Sequence, residues 1–302
     1  MTVPFERILA AVDMSPASAT VVARAAMLAA TQRVPLRVMN VSLLCEASRA
    51  ADPLDLAALA RQTAERFDVR VDVLKECASS AASVAQQAGQ RGLIVLKHER
   101  GLGLRSLWRG SLADQLLRIA DSPVLVVKAE SAFRERYHRV LVAVDLTPAT
   151  SDLVRIACHL DERSGVQILH SIRPLHSNPL RDAEIPQRIL QAYLSRRKLE
   201  AHEQLLHVAD ATLNCRERVE MVLRDGEPAR QAALQQSHGG ADLVVVGKRR
   251  SSALSDALCC GVAKRILAWC GADILVVPCK TVGMVDQGVA TACHPANELQ
   301  RI

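Results

Sequence analysis

Two aspartates stand where a strand-like run gives way to a helix-like one. Asp13 follows the apolar run Ile8–Val12, and Asp145 follows Val140–Val144. A carboxylate in that position accepts hydrogen bonds, either from a sugar or base or from the amides of its own turn. The residues leave both readings open. A second stretch able to do chemistry comes later in each half: IVLKHERGLGLRSLWRGSLAD at 94–114 and VVVGKRRSSALSDALCCGVAK at 244–264. Glycine lets a backbone approach a phosphate closely, and a Gly-Ser pair opening a helix offers unpaired N–H groups and a favourable dipole to an anion. Gly110 and Ser111 form such a pair in the first stretch, while Gly247, Arg250 and Gly261 hold the comparable places in the second. Lys97, Arg100, Lys248, Arg249 and Arg250 add charge here, with two possible outcomes. They surround an anion site, or they fill the phosphate space themselves.

Other chemistries find less support. No G-x-S-x-G elbow and no D-x-D-x-T after either first strand is present, so the residues favour binding over catalysis. The nine cysteines are an odd number without a C-x-x-C pair, which predicts free thiols rather than a disulfide framework. Cys259-Cys260 is vicinal, yet it lacks the spacing of a zinc site, and cysteines of this kind act more often as small buried hydrophobes. The histidines show no paired spacing; His170, after the second strand of the second half, borders the cleft on this reading.

Composition narrows the partners. Three Phe, two Tyr and two Trp in 302 residues are too few for the stacking platforms of single-strand binding, and a net charge of +6 is no concentrated basic stripe. Nucleic acid is therefore not expected as a partner. Arg196-Arg197-Lys198 reads as the solvated face of a helix. No apolar run approaches the roughly 20 residues of a membrane span, and no signal peptide is visible, so the expected location is cytoplasmic.

The elements that must position these groups occur twice. RILAAVDMSPASA at Arg7–Ala19 matches RVLVAVDLTPATS at Arg139–Ser151, and SLADQLLRIADSPVLVV at Ser111–Val127 matches GVAKRILAWCGADILVV at Gly261–Val277. The first pair is 132 residues apart and the second 150, so the second copy carries an 18-residue insertion within Ile172–Arg218. Its long amphipathic stretch spans about Pro186–Asp210. Strands are expected at Ile8–Val12, Leu36–Val41, Val69–Leu74, Leu93–Leu96 and Val124–Val127. In the second copy they fall at Val140–Val144, Val166–Ser171, Val219–Leu223, Leu243–Val246 and Ile274–Val277. These near-continuous aliphatic runs suit strands buried on both faces of a parallel sheet. Helix starts are signalled by Ser15-Pro16, Asp52-Pro53 and a capping box of Ser111 with Asp114. The fold class is thus α/β: two tandem, doubly wound, five-stranded parallel domains at 1–130 and 137–280. The polar link near Ala129–His138 is short enough to set the domains side by side. The tail, 281–302, has no period and is expected to be poorly ordered. Each half is expected to keep its own sheet.

With first strands ending in Ala-Val-Asp and the same landmarks in the same order twice, the chain resembles the universal stress proteins over about 5–130 and 137–280. ATP-binding members of that family carry G-x2-G-x9-G-[ST] directly after the fourth strand. Matched to it, the second copy keeps Gly247, has Arg250 and Cys260 for the next two glycines, and has Gly261 where the hydroxyl belongs. The first copy has Lys97 and Arg100 for the first two glycines and keeps Gly110 and Ser111. The resemblance implies a stress-response signalling protein with degenerate sites for ATP or another adenine nucleotide. The second copy would be the more competent, with Gly247 turning the chain beneath the phosphates and Asp145 holding ribose or base. It also implies an internal pseudo-dimer along the fifth strands, with a homodimer and an unidentified protein partner as further assemblies. A nucleotide-free interaction scaffold is the alternative, and a hydrolase or thiol or metal sensor ranks third.

Overall fold

The computed structural model describes residues 5–41, 53–98, 111–128, 135–172, 187–211, 218–249 and 256–279. Gly110, Arg250, Arg100, Asp52 and the tail 281–302 lie outside them, as do the side chains of Cys259 and Cys260.

The first half runs β1 (Arg7–Val12), α1 (Ser18–Gln32), β2 (Leu36–Asn40), α2 (Pro53–Phe67), β3 (Val71–Val73), α3 (Ala81–Ala88), β4 (Gly92–Lys97), α4 (Leu112–Ile119) and β5 (Val124–Val127). The second runs β6 (Arg139–Val144), α5 (Thr150–Leu160), β7 (Gly165–Ile172), α6 (Gln187–Ala211), β8 (Val219–Asp225), α7 (Pro228–Gly239), β9 (Leu243–Arg249), α8 (Asp256–Trp269) and β10 (Asp273–Cys279). All ten strands stand where the aliphatic runs predict them, and α6, the counterpart of α2, is the longer helix of the crossover that carries the insertion. The central strands are apolar on both faces because helices cover both: α1, α2, α5 and α6 contribute to one core layer, and α3, α4, α7 and α8 to the other.

Separate sheets are not what forms. The strand order β3-β2-β1-β4-β5-β10-β9-β6-β7-β8 describes one ten-stranded sheet. Each half is parallel within itself, and β5 pairs antiparallel with β10, Val126 opposite Ile274 and Val124 opposite Val276. The reason lies in the fifth strands themselves. VLVV in β5 is buried throughout, and an aliphatic edge of that kind is stable only when another strand covers it. Pairing the two fifth strands, as the resemblance implies, necessarily fuses the sheets.

A buried polar cluster fastens this seam. Asp273, at the start of β10, accepts hydrogen bonds from the Lys128 amide at 2.9 Å and the Tyr137 hydroxyl at 2.8 Å. Arg24 of α1 pairs with it at 2.9 Å and lies over the Tyr137 ring, 5.4 Å from its centroid. The link read as polar in the sequence therefore carries a fully buried anchor in Tyr137. Two lysines also cross the seam to the C-terminal turns of the opposing helices: Lys248 to the Arg118 carbonyl of α4 at 2.8 Å, and Lys128 to the Leu267 carbonyl of α8. Both cations sit where a helix dipole favours them.

Some helix starts differ from the reading of the sequence. Helix α1 begins at Ser18 with Ala17 as its cap, so Ser15 and Pro16 belong to the preceding turn. The helix has no side-chain cap; Asp13 instead closes the turn before it, accepting the Ser15 amide at 3.1 Å and the Ser18 hydroxyl at 3.3 Å. Helix α2 does open at Pro53. The Ser111–Asp114 capping box is formed, Ser111 Oγ accepting from the Asp114 amide at 3.1 Å and Asp114 accepting from the Ser111 amide at 3.2 Å.

Candidate functional site

In an open parallel sheet the strand order reverses beside the first strand, and the carboxyl ends there frame a crevice. In this chain the reversal falls between β1 and β4, and again between β6 and β9. Asp13 and Asp145 stand at these two points, as the sequence predicts. Immediately after each, the backbone turns left-handed at a non-glycine residue: Met14 at φ 58° and Leu146 at φ 56°. An L side chain in that region costs of order 1 kcal/mol, and strain held twice at the same place sits where function concentrates. Nothing in Met or Leu signals it; only the backbone does.

The two crevices differ in what fills them. Register places Leu96 of β4 beside Ala11 of β1, and Val246 of β9 beside Ala143 of β6. Lys97 and Gly247, one residue further on, therefore hold the same position in the two halves. Lys97 turns its ammonium onto Asp13, with a second bond to Ser15 Oγ at 3.2 Å. Burial pushes the Asp13 carboxyl up, but hydrogen bonds from Lys97 and Ser15 and the Lys97 charge outweigh it, holding the group below the usual carboxylate range. The carboxylate that would meet a ligand is already neutralised. Lys97 is engaged by residues of its own half, Asp13 and Ser15. Lys248 is spent on the seam.

With glycine at this position in the second half, no lysine reaches across to the aspartate. A cleft of about 780 Å³ opens over the second half, lined among others by Asp145, Leu146, His170, Gly247, Arg197 and Arg265. That volume is within the range of small-molecule sites. Asp145 accepts from Thr147 Oγ1 at 2.7 Å. His170 Nδ1 lies 3.0 Å from the Val144 carbonyl, which can only accept, so Nδ1 carries the proton and Nε2 is the acceptor of the neutral ring. Burial, helped by the nearby Arg197 charge and opposed by the Val144 carbonyl and Asp145, keeps His170 below its usual pKa and hence neutral at pH 7. The cleft thus offers acceptors, a carboxylate and an imidazole nitrogen, beside arginine donors.

The motif residues of the second half play parts other than those expected. Gly247 lies inside β9, opposite Val277 of β10, and the strand continues to Arg249, so it is no turn. What the position requires is the absence of a side chain. A Cβ there would come within 2.8 Å of Cys279 Sγ and 2.9 Å of Leu153. Gly261 likewise does not open a helix: α8 begins at Asp256 and Gly261 lies within it. Lys264 is two turns into α8 and pairs across the seam with Asp114 at 3.9 Å. In the first half Ser111 does start its helix, but Asp114 already supplies the anion at that end.

Arg197 corrects the reading of Arg196-Arg197-Lys198 as a plain solvated face. All three are largely exposed, yet Arg197 borders the cleft and Lys198 ties α6 to Asp225 at 2.8 Å. The sequence signal is placement: the insertion lengthens the crossover after the second strand, whose helix has 25 residues against 15 in its first-half counterpart α2. Among the described residues no group of three or more His, Cys, Asp or Glu could hold a metal ion.

The comparisons with known proteins agree with this architecture. The universal stress protein family matches twice, at residues 4–128 and 136–278. A universal stress protein from Archaeoglobus fulgidus superposes with TM-score 0.64 at 16% identity, covering 90% of this chain and 96% of that one. A functionally unknown protein from Pseudomonas aeruginosa PAO1 gives TM-score 0.65 at 18% identity, with 91% and 92% covered. A protein described as a putative universal stress protein, from Pseudomonas aeruginosa UCBPP-PA14, gives 0.64 at 19%, with 91% and 93% covered. No curated protein matches the chain by sequence. These structures share the fold; the two family matches, spanning most of the chain, make it a member of the universal stress protein family with two such domains in tandem.

Proposed function

We propose that the chain is a cytoplasmic stress-response and signalling protein whose second half binds one adenine nucleotide as a regulatory ligand, its first half being closed to it. The observation that carries this reading is the Lys97/Gly247 difference at one register position. The lysine satisfies Asp13 from within, whereas the glycine leaves Asp145 facing a cleft of about 780 Å³. Asp145 and the Nε2 of neutral His170 are acceptors suited to ribose hydroxyls or an exocyclic amine, and Val246 and Ile266 give a base an apolar surface.

Calorimetric titration of ATP tests this on wild type, Asp145→Ala and Asp13→Ala. One site per chain is expected, lost in Asp145→Ala and kept in Asp13→Ala. The second reading, a nucleotide-free scaffold for protein partners, is favoured by one observation: helix α8 engages Gly261 within its own turns, away from its amino end. No heat in wild type, with no nucleotide recovered on denaturing the purified protein, decides for the scaffold.

A further inference from the structure

We propose that Arg197, on the long helix α6, takes the phosphate of the ligand bound over the second half, replacing the glycine loop as the anion-recognising element. The proposal rests on the nucleotide reading above and adds which residue reads the charge.

Helix α6 is fixed beside the cleft rather than free over it. Ala201, Leu205 and Ala209 bury one stripe against the sheet, and the Lys198–Asp225 pair pins the helix to the end of β8. Arg197, Ala201 and Gln204, spaced by four and three residues, fall on one face and line the cleft together.

Two described arginines border the cleft, and only one is committed elsewhere. Arg265 donates from Nε to the Gly261 carbonyl at 3.1 Å and meets Glu227 at 3.3 Å. Arg197 meets Glu200 at 3.9 Å, beyond hydrogen-bonding distance, and the other oxygen of Glu200 is held by Arg196 at 2.9 Å. Among the described residues, the Arg197 fork therefore keeps its donors for a ligand, and a planar fork matches a phosphate with two parallel bonds. Its charge is felt in the site, because it contributes to lowering the pKa of His170 across the cleft.

The usual alternative is weakened in this half. Phosphates favour a helix amino terminus because its N–H groups are unpaired there. Here the helix begins at Asp256, and Gly261 is already inside it, its amide within the helical ladder. In the first half the corresponding crossover helix, α2, has 15 residues against 25 in α6, and the crevice there carries Lys97 on Asp13 instead. The anion reader and the open cleft thus occur in the same half.

The test is calorimetric titration of ATP and of adenosine into full-length wild type, Arg197→Gln and Arg197→Lys. Because Arg197 is largely exposed, neither change removes core packing. Losing a charge-assisted contact is expected to weaken ATP about tenfold to a hundredfold in Arg197→Gln, with adenosine within about twofold and Arg197→Lys in between. In proton NMR the His170 titration of Arg197→Gln should move upward without any ligand present. Equal weakening of ATP and adenosine, unchanged ATP binding, or an unmoved His170 overturns the role of Arg197 and leaves the nucleotide reading standing. Wild type binding neither ATP nor adenosine overturns both.

Discussion

Replacing Asp273 by alanine should loosen the join between the two halves more than any other single change at the seam. Its carboxylate is fully buried and takes three partners: the Lys128 amide at 2.9 Å, the Tyr137 hydroxyl at 2.8 Å and Arg24 at 2.9 Å. Removing it leaves the Arg24 guanidinium, itself buried, without its counter-charge in the core. Breaking a buried ion pair from one side costs about 3–5 kcal/mol, and an orphaned buried donor about 1–3 kcal/mol more. These costs overlap as water enters, so a loss of about 4 kcal/mol is expected, a large part of the ~5–15 kcal/mol that holds a typical protein folded. The other end of the seam shows what an apolar solution looks like. The repeat places Phe5, Ile156 and Pro123 at the positions of Tyr137, Arg24 and Asp273, and Phe5 is as buried as Tyr137. The triple change Arg24→Ile, Tyr137→Phe, Asp273→Leu removes the carboxylate together with both side-chain partners and leaves only the Lys128 amide without its acceptor, so it should cost less than Asp273→Ala. Urea unfolding followed by circular dichroism measures all of these. Asp273→Ala costing under about 1 kcal/mol, or a triple variant no more stable than Asp273→Ala, would refute the reasoning.

Three further expectations concern individual groups. Lys97→Gly should create a second ATP site in the first half, seen as two equivalents in calorimetry, and Lys97→Met should move the Asp13 titration seen by NMR upward; a single equivalent or an unmoved carboxyl counts against self-filling. Since the folded Asp13 pKa is depressed, its contribution to stability is present above about pH 4 and is lost as pH falls through the folded value, so Lys97→Met should flatten that acid limb of the stability curve. His170 is also depressed, so the unfolded chain takes its proton first and stability should decline as pH drops below about 6.5; His170→Gln should remove that slope, and an unchanged pH profile would contradict it. Burial pushes the Cys270 thiol up to about 11, with Lys128 opposing, so a thiol reagent at pH 8 should label exposed Cys77 in native protein and spare Cys270 until unfolding.

Much of this protein is written locally. The repeat, the ten aliphatic runs, the long helix of the second half and the aspartates ending β1 and β6 depend on short-range pattern: a strand buried on both faces must be apolar at every position. The Ser111–Asp114 box is local for the same reason, since its two residues are one helical turn apart. Fusion of the halves into one sheet is not legible there: local pattern marks the fifth strands as apolar but not that β5 and β10 are the edges that meet.

What the tertiary structure decided turns on contacts between residues distant in sequence. That Lys97 neutralises Asp13 depends on β4 lying beside β1, which brings positions 84 residues apart into contact. That Lys248, in the same basic stretch as Gly247, serves the seam instead of the cleft depends on the face of β9 from which it emerges and on where α4 ends. Gly247 looked like a turn and proved to be a place where Cys279 and Leu153 leave no room for a side chain, a constraint set by β10 and α5. The left-handed turns at Met14 and Leu146 leave no mark in residue type. Arg197 read as solvent-facing because helical spacing gives a residue's face but not its neighbour, and only the packing of α6 against the sheet puts that face on the cleft.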